Sequence, residues 1–220
     1  MIKVTAFAWV PTFAEGLVRD LRIRWALEEA GELYEERLLK QGEQDSPEYR
    51  AIQPFGQVPV YEEDDLTLFE SGAILLHIAE RSHALLPPDR AARARAIQWV
   101  FAALNSIEPH VQNLALIDLF YAEEDWAKQR RPGVADFVEK RLDALSGRLG
   151  DKEYLDDDCF SAGDLMMTTV LRILRHTDLV TSRAELHAYQ MRCEARPAFQ
   201  KALADQIAPF RRNAPPQAAA

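Results

Sequence analysis

Apolar and polar positions alternate from Ile2 to Phe7, with Ile2, Val4 and Ala6 on one face, and this predicts a buried strand. A loop with Trp9 and Pro11 follows. Thr12 and Glu15 have capping-box spacing, so a helix is expected to begin near Phe13 and to run to Ala30, stopping at Gly31. Leu17, Val18, Leu21, Trp25 and Leu27 form its apolar side. Tyr34 to Leu38 suits a second strand, and segment 43–50 a short helix or irregular crossover. Val58 to Tyr61 ends as a strand, although Pro59 cannot donate a ladder hydrogen bond. Asp64 and Asp65 make a turn, Leu66 to Phe69 a fourth strand, and Ser71 to Arg81 an amphipathic helix.

Leu85-Leu86-Pro87-Pro88 breaks this pattern, and everything after it reads as helical. Asp89 caps a long helix carrying Ile97, Phe101, Leu104, Val111 and Leu114, with a kink expected at Pro109. Val134, Phe137, Val138, Leu142, Leu145 and Leu149 make a stripe interrupted only by Arg141. Ser161 and Asp164 have capping spacing before a nearly apolar helix to Leu174. Ser182 and Glu185 repeat it before a helix ending near Arg196-Pro197. The pattern predicts an α/β domain over 1–83, a linker over 84–88, an all-α domain over 89–210 and a loose tail over 211–220.

Composition changes this picture little. The 220 residues are 48% hydrophobic and 28% charged, as in an ordinary globular chain. A formal net charge of −9 argues against a nucleic-acid partner, because phosphate backbones attract basic faces. Arg90, Arg93 and Arg95 cluster, but a solvated helix start accounts for them. No run is apolar enough for a membrane span, and no charged leader precedes an apolar stretch, so the expected location is cytoplasmic. Cys159 and Cys193 form no CxxC motif. His77, His83, His110, His176 and His187 lack metal-ligand spacing, so no metal is expected. Neither GxGxxG nor GxSxG occurs.

The informative segment is Gln57-Val58-Pro59, followed by Glu70-Ser71. A proline after Val58 at a strand start suggests a cis peptide. Such a bond would expose the Val58 N–H and C=O sideways, free to pair with an extended peptide ligand in a one-residue version of strand addition. Ser71 can cap the helix that follows, where backbone N–H groups point at an anion, and Glu70 adds a negative charge beside them. A ligand with a free ammonium and a free carboxylate satisfies this pair, as a γ-glutamyl group does. The plainer alternatives are an edge-strand proline, a solvated acid and a simple cap.

Pro54-Phe55-Gly56-Gln57-Val58-Pro59 with Phe69-Glu70-Ser71-Gly72-Ala73-Ile74 closely resembles the core signature of the glutathione S-transferase superfamily, here of bacterial type. Arg22 to Gly31 looks like that family's first helix. Ser161-Ala162-Gly163-Asp164 resembles its capping box, and Arg196-Pro197-Ala198-Phe199 the opening of its last helix. The resemblance implies a thioredoxin-like N-terminal domain with cis Pro59 and an all-α helical-bundle C-terminal domain. It implies that Val58 binds the cysteinyl backbone of glutathione, that Glu70 and Ser71 hold the γ-glutamyl group, that Gln57 helps hold the peptide and that Lys40 meets the glycine carboxylate. A homodimer, a role in detoxification and a small apolar electrophile as second substrate are implied too.

Transferases of this family activate the glutathione thiol, usually with a Tyr, Ser or Cys near the first helix. Counting back from Arg24 in the registers of those classes lands on Leu17 or Phe13, and neither can donate. Thr12 is the hydroxyl in the loop, and it is the catalytic candidate beside its reading as a cap. Arg19 and the backbone N–H groups after Trp9 are further candidates. The expected function is a glutathione transferase with glutathione as co-substrate. The alternative is a non-catalytic transferase-like binding or regulatory protein that has lost the activating group.

Overall fold

The computed structural model describes residues 1–156 and 159–215. Residue contacts divide the chain into two units, Met1–Leu85 together with the segment from Arg196 onward, and Leu86–Ala195.

In the first unit, β1 (Ile2–Phe7) is followed by a 3-10 turn (Thr12–Ala14), α1 (Asp20–Ala30) and β2 (Tyr34–Leu39). A 3-10 turn (Glu43–Asp45) and α2 (Pro47–Arg50) lead to β3 (Tyr61–Glu63), β4 (Leu66–Leu68) and α3 (Ser71–Ala79). The four strands form one sheet in the order β2-β1-β3-β4. β1 and β2 run parallel, as a βαβ crossover requires, and the β1–β3 and β3–β4 pairs are antiparallel. This is a thioredoxin-like arrangement. The β3–β4 hairpin turns through Asp64 at φ 51, a conformation that aspartate tolerates better than most residues.

The second unit contains α4 (Arg90–Phe101), α5 (Glu108–Phe120), α6 (Asp125–Leu149), α7 (Ala162–Leu171) and α8 (Ala184–Glu194). The Asp89 side chain accepts from the N–H groups of Ala91 and Ala92, so the expected cap is present. The kink expected at Pro109 takes the form of a π-helical segment, Ala102–Ile107, just before it. Proline lacks an N–H and its ring crowds the carbonyl four residues back, so the helix widens there. Ser161 and Asp164 form a complete capping box. A side chain at Gly163 would collide with Trp99, so glycine lets α7 approach α4 closely. Val138, Leu142, Leu145 and Leu149 are buried as expected, while Phe137 is exposed.

Three expectations need correction. α1 begins at Asp20, not near Phe13, because Gly16 adopts φ 72 and breaks the helical path after the short turn. Thr12 therefore caps no α-helix; Pro11 precedes its turn and no side chain caps it. Ser182 does not cap α8 either, since Arg183 stands at that position and the Ser182 hydroxyl donates to the Leu179 carbonyl at 3.4 Å.

The last helix, α9 (Pro197–Arg212), falls with the first unit rather than with the helices it follows. Its footing on α1 is specific. The Arg196 guanidinium donates twice to the Glu29 carboxylate, at 2.6 and 2.7 Å, and the Trp25 indole N–H donates to the same carboxylate at 2.9 Å. The Phe199 ring meets Trp25 edge-on, with centroids 4.8 Å apart. Of the expected 211–220 tail, α9 takes in Arg211 and Arg212, and Pro216 to Ala220 lie outside the described residues.

Candidate functional site

The Val58–Pro59 peptide is cis. Val60, next along, accepts from the N–H of Thr5 at 2.8 Å, which anchors this segment to β1. The Tyr49 hydroxyl donates to the Gln57 carbonyl at 2.7 Å and fixes it from the other side. The Val58 side chain is buried with Leu39, Tyr49 and Val60, and Phe7, Val18 and Ile52 pack against them. Among the described residues the Val58 N–H and C=O have no hydrogen-bond partner within the protein. Backbone polar groups beside a packed core normally find partners, so this pair is available to an extended ligand.

α3 starts from Glu70, held at φ 70 and ψ 111. A non-glycine residue with positive φ costs conformational energy and marks a constrained position. No side chain caps this helix start, so its first N–H groups and the positive end of its dipole lack a side-chain acceptor. Ser71 is not the cap expected from sequence, because Glu70 occupies that position. Instead the buried Ser71 hydroxyl accepts from the Arg22 guanidinium on α1 at 3.0 Å. A hydroxyl that accepts such a bond keeps its own proton to donate.

The Phe55 and Phe69 rings meet edge-on at 6.1 Å, so the segment before Gln57 lies against the residue before Glu70. The structure thus joins Gln57, Val58, Pro59, Glu70 and Ser71 into one neighbourhood. Lys40 follows the buried Leu39, which belongs to the Val58 cluster, and its side chain is exposed. The Lys40 N–H is used, donating to the Glu43 carboxylate at 2.8 Å.

Thr12 is exposed and opens the 3-10 turn. It is tied to the rest through its own loop, whose Val18 side chain packs on the Val58 cluster. The loop ends at a buried polar group. Arg24 donates to Asp20 at 2.7 Å and to Glu36 at 2.5 Å. Burial pushes the Asp20 carboxyl above its ordinary value, opposed by the Arg24 guanidinium and the Gln206 amide. Arg24 is held charged by Asp20 against its own burial. Sequence reasoning missed Arg22 and Gln206 here, because polar residues on a helix read as solvated until their partners are known.

The N-terminal domain of glutathione S-transferase matches residues 14–80. The chain is 35% identical to glutathione S-transferase F10 of Arabidopsis thaliana over 58% of its own length and 62% of that protein, so this match spans less than two thirds of the relative. It is 31% identical to glutathione S-transferase 4 of Zea mays over 91% of each. The chain belongs to the glutathione S-transferase family. Among solved structures, this transferase resembles one from Burkholderia graminis, itself determined with two glutathione molecules bound per subunit. Identity is 26%, the TM-score 0.80, and the match covers 92% of this chain and 87% of that one. Among the described residues of the transferase, no helix is long and apolar enough to cross a membrane, and no cluster of acids, histidines and cysteines is placed to hold a metal.

Proposed function

We propose that this protein binds glutathione in its first unit and promotes attack of the glutathione thiolate on a small apolar electrophile. The γ-glutamyl carboxylate sits at the start of α3, accepting from backbone N–H groups and the Ser71 hydroxyl, while Glu70 meets the ammonium. The Val58 N–H and C=O pair with the cysteinyl residue, Gln57 supports the peptide, and Lys40 meets the glycine carboxylate. Thr12 donates its hydroxyl proton to the sulfur and stabilises the thiolate. The thiol proton leaves to solvent, the sulfur lone pair forms a bond to carbon, and the electrophile releases its leaving group or takes up a proton. A homodimer in the cytoplasm and a role in detoxification complete the reading, with glutathione as co-substrate and no metal.

The observation that carries it is the uncapped start of α3, where the Ser71 hydroxyl already accepts from Arg22 and is left with a proton to donate. Calorimetric titration of reduced glutathione at neutral pH tests it. Saturable binding is expected, weakened about tenfold to a hundredfold in Ser71→Ala, as for a lost hydrogen bond to a charged group. Absence of binding heat at several temperatures would sink the assignment, and unchanged affinity in the variant would remove Ser71 from the site.

A further inference from the structure

The loop from Ala8 to Arg19 carries Thr12. Its own bonds are short-range: Ala14 N–H to the Pro11 carbonyl, Glu15 N–H to that of Thr12, and Leu17 N–H to that of Ala14. At its start the Ala8 N–H donates to the Leu39 carbonyl at 2.7 Å and the Gln41 amide donates to the Trp9 carbonyl at 2.9 Å, and at Gly16 and Val18 the loop is held by α9. Gln206 is fully buried on the apolar face of that helix, alongside Phe199, Ala202, Pro209 and Phe210. Its Oε1 accepts from the Gly16 N–H at 3.1 Å. Its Nε2 donates to the Val18 carbonyl at 3.1 Å and to the Asp20 carboxylate at 2.7 Å. Both donors and the acceptor of the amide are in use, and the amide cannot flip, because Gly16 offers a donor and Val18 an acceptor. At the other end of the loop, the Asn213 amide donates to the Ala8 carbonyl at 3.3 Å.

We propose that Gln206 is a positioning residue for the thiol-activating turn, so that the last helix of the chain sets turnover without touching glutathione. The proposal rests on the reading that the thiol is activated at this loop. Gly16 turns the chain at φ 72 directly after the Thr12–Ala14 turn. Holding its N–H and the Val18 carbonyl on one amide fixes where that turn points, and a donor must be well placed to act on a sulfur. The residues proposed to bind glutathione belong to β3, α3 and the segments before them, and none of them bonds to Gln206.

Three readouts on Gln206→Leu test this: glutathione affinity by calorimetry, kcat with a chlorodinitrobenzene at saturating glutathione, and the pH titration of the bound thiolate by its ultraviolet absorbance. We expect kcat to fall about tenfold or more, affinity to stay within about twofold, and the thiolate titration to move to higher pH. Asn213→Ala, which removes the bond to Ala8 at the other end of the loop, should lower kcat about threefold with affinity unchanged. A folded Gln206→Leu protein with wild-type kcat and thiolate titration would overturn the proposal, as would an equal loss of affinity and kcat. Should Gln206→Leu fail to fold, Asn213→Ala decides by the same readouts, and wild-type behaviour in it overturns the proposal. A wild-type protein that binds no glutathione would instead overturn the reading of the site itself.

Discussion

Val58 and Ser71 sit beside regular elements and are fixed by neighbours in the sheet, on α2 and on α1, whereas the loop of Thr12 and Gly16 takes part of its anchoring from Gln206 and Asn213 at the far end of the chain. The first region takes shape within the sheet, α2, α3 and the start of α1. The second needs α9 to return and dock. On the proposed function, affinity and turnover rest on different parts of one unit, and they should respond differently to damage.

Phe199→Ala should have the largest effect. Removing a buried ring that packs on Trp25 costs about 3–5 kcal/mol. Chemical denaturation is expected to show that loss in the first unit. In the fraction that stays native, kcat should suffer more than glutathione affinity, because α9 holds the loop and not the helix start. Equal losses would mean that α9 supports both regions alike.

Thr12→Ala should come next, lowering kcat at saturating glutathione about tenfold with affinity nearly unchanged, as expected for one lost hydrogen bond to a charged sulfur. Steady-state kinetics beside calorimetry measures both. Turnover equal to wild type would leave the thiolate to the backbone N–H groups of the loop.

The smallest effect belongs to Glu63, at the end of β3 and not among the residues proposed to meet glutathione. Hydrogen bonds from Arg81 and Tyr61 hold its carboxyl down to about 2, against an ordinary 4.5. A depressed carboxyl adds stability above its unfolded value and loses it as pH falls toward the folded one. Glu63→Gln should therefore flatten the acid-side loss of stability between those two values and leave glutathione binding unaltered near neutrality. Denaturation midpoints across that range provide the check.

The same contrast governs what the sequence made legible. The strands, α3, the Asp89 cap and the Ser161–Asp164 capping box were readable because each rests on local spacing that backbone chemistry demands. The cis Val58–Pro59 bond was readable for the same reason. The start of α1 was misplaced by seven residues, from Phe13 to Asp20: Thr12 and Glu15 have cap spacing, and nothing local reveals that Gly16 turns left-handed with its N–H donating to Gln206. The role of Ser71 was half legible. Its place at the helix start follows from spacing, but its bond from Arg22 depends on how α1 lies against α3. Likewise Arg196 and Phe199 announced a helix, while their partners Glu29 and Trp25 emerge only when the ends of the unit meet.

The most direct test of the division is to measure glutathione affinity and kcat side by side in Ser71→Ala and Thr12→Ala. A crossed pattern is expected: Ser71→Ala loses affinity and keeps most of its turnover at saturation, while Thr12→Ala keeps affinity and loses turnover. If both variants lose the same quantity in the same proportion, the two regions act as one and the division is wrong.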